Sequence, residues 1–340
     1  MNITFLIGNG FDLNLKLKTR YSDFYDYYIE HNPHDMISNA IESNYDMWSD
    51  LELWLGEFLK NINENQIDKF LDSKDVLENL LVEYLSLENQ KAQIKDETAL
   101  SEEFKNKILN IFADFSFSEK EHYKNSVAAA RETINYSFIT FNYTDILDRI
   151  IDCTKRIENP FSRRQVINST YHDTLGAPLH IHGKLSEDLI LGLDNSGQIA
   201  NEKLKDNSSL TKYIIKSDIN NALGEKKVER AKKIIDRSKY VCLFGLSIGD
   251  TDSFWWSYLI EWLKRDKNNR LVLYVFSNTK VGTLAQQKIR HRDKKRSDFL
   301  TRSHYEDDNT IDFIKDQIII IPNSQIFNFE NIIIEKNENN

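Results

Sequence analysis

Cysteine is nearly absent. Cys153 and Cys242 are the only two in 340 residues. Two thiols cannot build a four-cysteine structural zinc site or a disulfide framework. Cys242 lies inside Val241-Cys242-Leu243-Phe244 and reads as a buried core thiol. Proline is also scarce, at four residues, so no proline-rich linker marks a domain boundary. No stretch reaches the roughly 18 apolar residues that a membrane-spanning helix needs. The first apolar run, Ile3–Ile7, is too short for a signal peptide and reads as a strand. Positive charge is not in excess either. The formal net charge is −9, the wrong sign for a general nucleic-acid binder, whose affinity comes from neutralised phosphates. The run Arg290–Arg296 reads as a local basic patch or as a solvated helix end. The expectation is a cytoplasmic protein in a reducing compartment. Neither a metal, a membrane nor nucleic acid is among its expected partners.

What is present is ample material for a core: 40% hydrophobic and 11% aromatic residues. Short apolar runs predict strands at Asn2–Ile7, Ser137–Phe141, Leu179–Ile181, Leu189–Leu191, Tyr240–Phe244, Leu271–Phe276 and Gln317–Ile321. Helical patterns at Lys226–Ile235 and Ser253–Leu263 separate several of them. Strands alternating with helices predict an α/β fold with a mostly parallel, Rossmann-type sheet. Residues 22–130 read as almost wholly helical, a large insertion after the first strand. Ser49 and Glu52 have capping-box spacing ahead of one such helix. The expected division is an α/β domain over 1–21 and 131–328, a helical subdomain over 22–130, and a fraying tail over 329–340. Residues 194–225 are polar and weakly patterned, the composition of a flexible lid or an insertion.

Four segments carry the chemistry, each at the end of a predicted strand. Ligands of open parallel sheets bind at that edge. Gly8-Asn9-Gly10-Phe11-Asp12 fits a turn whose backbone can approach a phosphate, with Asp12 on a ribose hydroxyl or capping the next segment. It fits a ligand-free tight turn as well. Asn142, in Phe141-Asn142-Tyr143-Thr144-Asp145, can donate to and accept from a water or a ribose, or can simply precede a helix cap. His180 and His182 share one strand face. They are two metal ligands lacking a third, or one structural and one catalytic histidine, with His182 the general base. Gly245 and Ser247, in the run from Phe244 to Asp250, suit a second phosphate or ribose contact. Asp250 and Asp252 suit caps for the helix holding Trp255, Trp256 and Trp262, which read as core.

The order of these motifs resembles AbiH-type bacteriophage abortive-infection proteins. Gly8-Asn9-Gly10-Phe11-Asp12, Thr19-Arg20-Tyr21-Ser22-Asp23-Phe24, Trp48-Ser49-Asp50-Leu51-Glu52, Phe141–Asp145 and His180-Ile181-His182-Gly183 carry the likeness. Through that family the chain resembles the wider sirtuin-like (SIR2-like) superfamily, whose pockets surround NAD. The resemblance implies that Gly8 and Gly10 hold the NAD phosphates, with Asn9 and Asp12 as further NAD-binding residues. It implies Asn142 and Asp145 beside the nicotinamide riboside, His182 as the catalytic histidine, and Gly245 and Ser247 at the adenosine half. Glu52 is either a further pocket residue or a cap. The missing four-cysteine zinc module sets the chain apart from protein deacylases. The implied function is phage defence by hydrolysis of NAD⁺ to ADP-ribose and nicotinamide, with NAD the substrate. A phage-derived trigger and homo-oligomerisation are implied modes of control. The alternatives are a hydrolase or transferase acting on another nucleotide, and a non-catalytic nucleotide sensor acting by assembly.

Overall fold

The computed structural model describes residues 1–31, 34–41, 50–277, 284–303 and 313–335. The strands are β1 (Asn2–Ile7), β2 (Ala92–Ile94), β3 (Asn135–Thr140), β4 (Ser162–Val166), β5 (Ser169–His180), β6 (Ser238–Phe244), β7 (Arg270–Val275), β8 (Ile318–Pro322) and β9 (Ile332–Ile334). The helices are α1 (Gly10–Asn14), α2 (Tyr21–His31), α3 (Met36–Ile41), α4 (Leu51–Phe58), α5 (Ile67–Gln90), α6 (Glu97–Leu109), α7 (Phe117–Ala129), α8 (Ile146–Ile157), α9 (Ser208–Ile214), α10 (Lys216–Ala222), α11 (Lys227–Asp236), α12 (Ser253–Arg265) and α13 (Ala285–Arg302).

Seven strands form one sheet in the order β4-β5-β3-β1-β6-β7-β8. All neighbours pair in parallel except β4, which closes one edge as an antiparallel hairpin with β5. Counted along the chain, the parallel strands lie in the order 3-2-1-4-5-6, the doubly wound Rossmann arrangement. The strand order reverses between β1 and β6, and the crevice of such a sheet opens there. Period-two alternation supplies both faces. Ile3, Phe5 and Ile7 of β1 join Phe104 of α6, Tyr123 of α7 and Ile150 of α8 in one core. Leu6 points the other way, toward Trp256 and Leu259 of α12 and Phe299 of α13. The three tryptophans of α12 are all buried in that second layer.

The helical stretch 22–130 is shared between two cores. Its later helices, α6 and α7, cover the sheet. Its earlier ones, α2 to α5, pack in a third core with Leu191, Leu193, Ile199, Leu210 and Ile214. Residues 194–225 therefore do not form a loose polar lid. Leu204, Leu210, Ile214 and Ile215 are buried, and α9 and α10 follow one another there. Leu189–Leu191 is not a strand, although Ile190 and Leu191 are buried and Leu189 partly so. Its apolar run serves packing, and only Leu193 makes an isolated bridge, to Ile215. The tail also differs from expectation. Phe329 is buried, and β9 pairs antiparallel with β2, so the described part of it is anchored.

The turns after β1 and β6 abut. The Gly10 N–H donates to the Gly245 carbonyl at 2.8 Å, and the Gly8 N–H donates to the Phe244 carbonyl at 2.9 Å. A Cβ on Gly10 would lie 2.4 Å from the Gly245 Cα, a backbone atom that cannot swing aside. Gly10→Ala should therefore destabilise the protein by about 1–3 kcal/mol, the usual cost of overpacking. Urea melts of the variant beside wild type check this, and an unchanged midpoint would refute the contact.

Candidate functional site

A cavity of about 1010 Å³ lies over the C-terminal ends of β1, β3 and β6. Gly8, Asp12, Asn142, His182, Gly245 and Ser247 line it, so strand ends separated in sequence converge. Glu52 lines it as well, carried in on α4. The loop after β6 is held tightly there. Ile248 is β-branched yet sits at φ 53°, an uncommon conformation for such a residue. Arg302 donates to the Ile248 carbonyl at 2.8 Å, and Trp256 Nε1 donates to the Gly249 carbonyl at 2.8 Å.

The two histidines have different surroundings. His180 has both ring nitrogens committed within the protein: Nδ1 to the Asn142 carbonyl at 3.0 Å and Nε2 to Asp148 Oδ2 at 2.8 Å. It anchors the main chain of Asn142. His182 packs edge-on against Phe141, with ring centroids 5.5 Å apart. Its Nε2 lies 3.2 Å from Asp252 Oδ1, while its buried Nδ1 has no protein partner. Burial, and then the nearby Lys216 charge, push the His182 pKa below its ordinary value, against the pull of Asp252. The ring is therefore neutral near pH 7. Nε2–H donates to the carboxylate and Nδ1 keeps a free lone pair. Asn142 is buried too, and its Oδ1 also lacks a protein partner.

Beside His182 lies a buried ionic cluster. Lys216 Nζ donates to Glu52 Oε2 at 2.8 Å, to the Thr251 carbonyl at 3.2 Å and to Asp252 Oδ1 at 3.3 Å. Burial raises the Glu52 carboxyl, and Lys216 only partly opposes it. Burial would raise Asp252 too, but Lys216 and His182 outweigh it and hold that carboxyl well below the ordinary range. Burial works against the Lys216 charge, yet Asp252 and Glu52 together hold its pKa above the ordinary lysine value. The helix containing Glu52 is capped by Asp50, whose side chain accepts from the Leu53 N–H at 3.2 Å. Ser49 lies outside the described residues. The Glu52 carboxylate faces Lys216 and so is not the cap.

Asp12 is a second buried carboxyl. Thr144 Oγ1 donates to its Oδ2 at 2.8 Å, and Oδ1 has no partner within hydrogen-bonding geometry. Burial pushes its pKa up to about 7, against the hydrogen bond from Thr144 and the pull of the neighbouring Asn142 amide. The folded pKa exceeds the ordinary 3.8, so the fold favours the protonated form. That stability is fully present below about pH 4 and is lost as pH rises through about 7. Asp12→Asn keeps an acceptor for Thr144 and removes the titration. The variant should gain on wild type steadily from pH 4 to pH 8 in urea melts. A constant difference would refute the assignment.

Not every expected residue joins the site. Asp145 does not line the cavity. It flanks α8, pairs with Arg149 at 3.1 Å and accepts from Asn89 at 2.9 Å. Asn9 lines the cavity, but its side-chain amide is committed to Thr19: Nδ2 donates to the Thr19 carbonyl and Oδ1 accepts its hydroxyl. The Gly8 and Gly10 amides already bond to carbonyls of the β6 end, so those two N–H groups do not form an open phosphate cradle. Two residues escaped the sequence reading. Lys216 fell in the weakly patterned stretch, and only its place after the apolar Ile214-Ile215 hinted at burial. Asp252 was expected to cap α12 and does occupy that cap position, but its side chain makes no capping bond and turns to Lys216 and His182.

The fold and the cavity at its switch point define a Rossmann-like α/β protein with a polar, partly ionic pocket. Its family follows from comparison. The model of the bacteriophage abortive infection AbiH family matches residues 4–276, and the chain belongs to that family. Its role is accordingly in abortive infection of bacteriophage. No curated protein matches it.

Proposed function

We propose that this protein defends its host by hydrolysing NAD⁺ to ADP-ribose and nicotinamide, with Asn142 and His182 as the catalytic residues. The observation that carries the reading is a set of three buried, unpartnered polar atoms on residues lining one cavity: Asp12 Oδ1, Asn142 Oδ1 and His182 Nδ1. Buried polar atoms demand partners. Two of these are acceptors, and the carboxyl of Asp12 can donate or accept. Ribose hydroxyls and an attacking water suit such a set. The glycosidic C1′–N bond breaks with its electron pair passing to nicotinamide. Water oxygen bonds to C1′, and its proton goes to His182 Nδ1. Asn142 Oδ1 orients the water or a ribose hydroxyl, and Asp12 holds a second hydroxyl. Gly245 and Ser247, which line the same cavity, are assigned to the adenosine half. The sirtuin-like resemblance of the motifs points to the same ligand.

A constitutive hydrolase of this kind would harm its host, so a resting state and a trigger, phage-derived or through self-assembly, belong to the proposal. The test is product analysis. Cells making the protein are infected, and NAD, ADP-ribose and nicotinamide are followed by chromatography. Equimolar appearance of the two products as NAD falls supports the reading. Phage protection with NAD intact overturns it and favours a sensor or another nucleotide.

A further inference from the structure

Three chain segments that share no sequence neighbourhood meet behind His182. Glu52 comes on α4, Lys216 opens α10, and Asp252 ends the loop after β6. Their contacts run in series: Glu52 Oε2 to Lys216 Nζ at 2.8 Å, Lys216 Nζ to Asp252 Oδ1 at 3.3 Å, and Asp252 Oδ1 to His182 Nε2 at 3.2 Å. One oxygen of Asp252 thus serves both the lysine and the histidine. The main chain fixes Lys216 independently, since its N–H donates to the Leu193 carbonyl at 2.9 Å and the Leu193 N–H to the Ile214 carbonyl at 2.7 Å. A buried lysine with three acceptors is costly to assemble unless each partner is held. Nothing in sheet packing requires a charge there, because the third core is otherwise apolar at Leu193, Ile214 and Ile215.

Resting on the hydrolase reading, we infer that Glu52 and Lys216 are positioning residues, which lock Asp252 so that His182 carries its proton on Nε2 and presents Nδ1 to the reacting water. The carboxylate accepts from Nε2–H and so fixes the tautomer. Lys216 keeps that carboxylate ionised and in place, and Glu52 keeps Lys216 in place. His182 is faced by Lys216, Asp252 and Asp194, the charged groups that act on it from α10, from the loop after β6 and from the segment before α9. Lys216 also opposes a positive charge on the ring, so the base is free at neutral pH. Glu52 and Lys216 belong to elements of the third core, while His182 and Asp252 belong to the sheet edge. The base is therefore complete only when the third core is docked on the sheet.

The test reads the ring directly. Full-length protein labelled with ¹⁵N-histidine is titrated by NMR, with His182 assigned through His182→Ala. Wild type should show the Nε2–H tautomer throughout neutral pH. In Lys216→Gln the carboxylate loses its clamp and the ring loses a repelling charge. The His182 midpoint should then rise by about one pH unit, the scale of a neighbouring-charge effect. Glu52→Gln leaves Lys216 a neutral acceptor, which spares folding, but removes the charge that holds it, and so serves if Lys216→Gln fails to fold. It should mix the two tautomers and lower kcat about tenfold with little change in KM, as expected when a group acts only on the reacting step. Lys216→Arg should restore the wild-type tautomer. Wild-type tautomer and midpoint in a folded Lys216→Gln or Glu52→Gln protein would overturn the inference. Altered ring signals in a protein that never consumes NAD would sustain the positioning role and sink the hydrolase reading alone.

Discussion

His182→Ala and Asn142→Ala should each abolish NAD loss and phage protection together. Each should lower turnover by at least about a hundredfold, the contribution of a positioned general base or an oriented nucleophile. The folded fraction should stay close to wild type: Nδ1 of His182 and Oδ1 of Asn142 have no protein partner to lose, and when His182→Ala gives up the Nε2 contact, Asp252 keeps its bond from Lys216. The double variant should be no worse than either single one, since groups that serve one step are not additive. NAD assays on infected cells, read beside thermal melts of the purified variants, decide the matter. Wild-type NAD depletion by a folded His182→Ala protein would remove the histidine from the mechanism.

Lys216→Ala should be the most destabilising single change in the pocket. It leaves the Glu52 and Asp252 carboxylates without their counter-charge, and the Lys216 and Glu52 side chains are each only 8% exposed. Breaking a buried ionic cluster by removing one partner costs on the order of 3–5 kcal/mol. The sign of its pH dependence follows from Asp252, whose folded pKa is held below the ordinary 3.8. In wild type that pairing adds stability above about pH 4 and loses it as pH falls further. The variant lacks the contribution at every pH, so its deficit should be largest near neutrality and narrow in acid. Denaturant midpoints at pH 7 and pH 3.5 test both parts. A deficit under about 1 kcal/mol at pH 7 would mean that water or rearrangement solvates the carboxylates, and the cluster would carry little of the fold.

The sheet was legible where burial is two-sided. β1, β6, β7 and β8 are continuous apolar runs because helices cover both faces of a parallel sheet. β4, with Ser162-Arg163-Arg164-Gln165-Val166, is a polar edge strand whose partner is its own hairpin neighbour, and no apolar pattern announces it. Leu189–Leu191 misled for the opposite reason: it is apolar, with Ile190 and Leu191 buried, but its packing needs no ladder. Asn142 and His182 stood out as polar residues just beyond such runs. Lys216 did not. Its partner Glu52 is 164 residues away, and an ion pair across that span leaves no periodicity at either end. Asp145 lies outside the cavity lining, because a carboxylate at the head of a helix has a local use, here in the pair with Arg149.

The pairing of β2 with β9 bears on how the chain is made. During synthesis β2 leaves the ribosome early, while its partner follows only after all seven strands of the main sheet have appeared or begun to pair. Until then the junction between α5 and α6 has an open strand edge, which invites pairing with other chains. Translation at about 5–20 residues per second keeps that edge exposed for many seconds. The nascent protein is therefore prone to aggregate until β9 arrives, and a deletion that removes Ile332–Ile334 would make that transient hazard permanent.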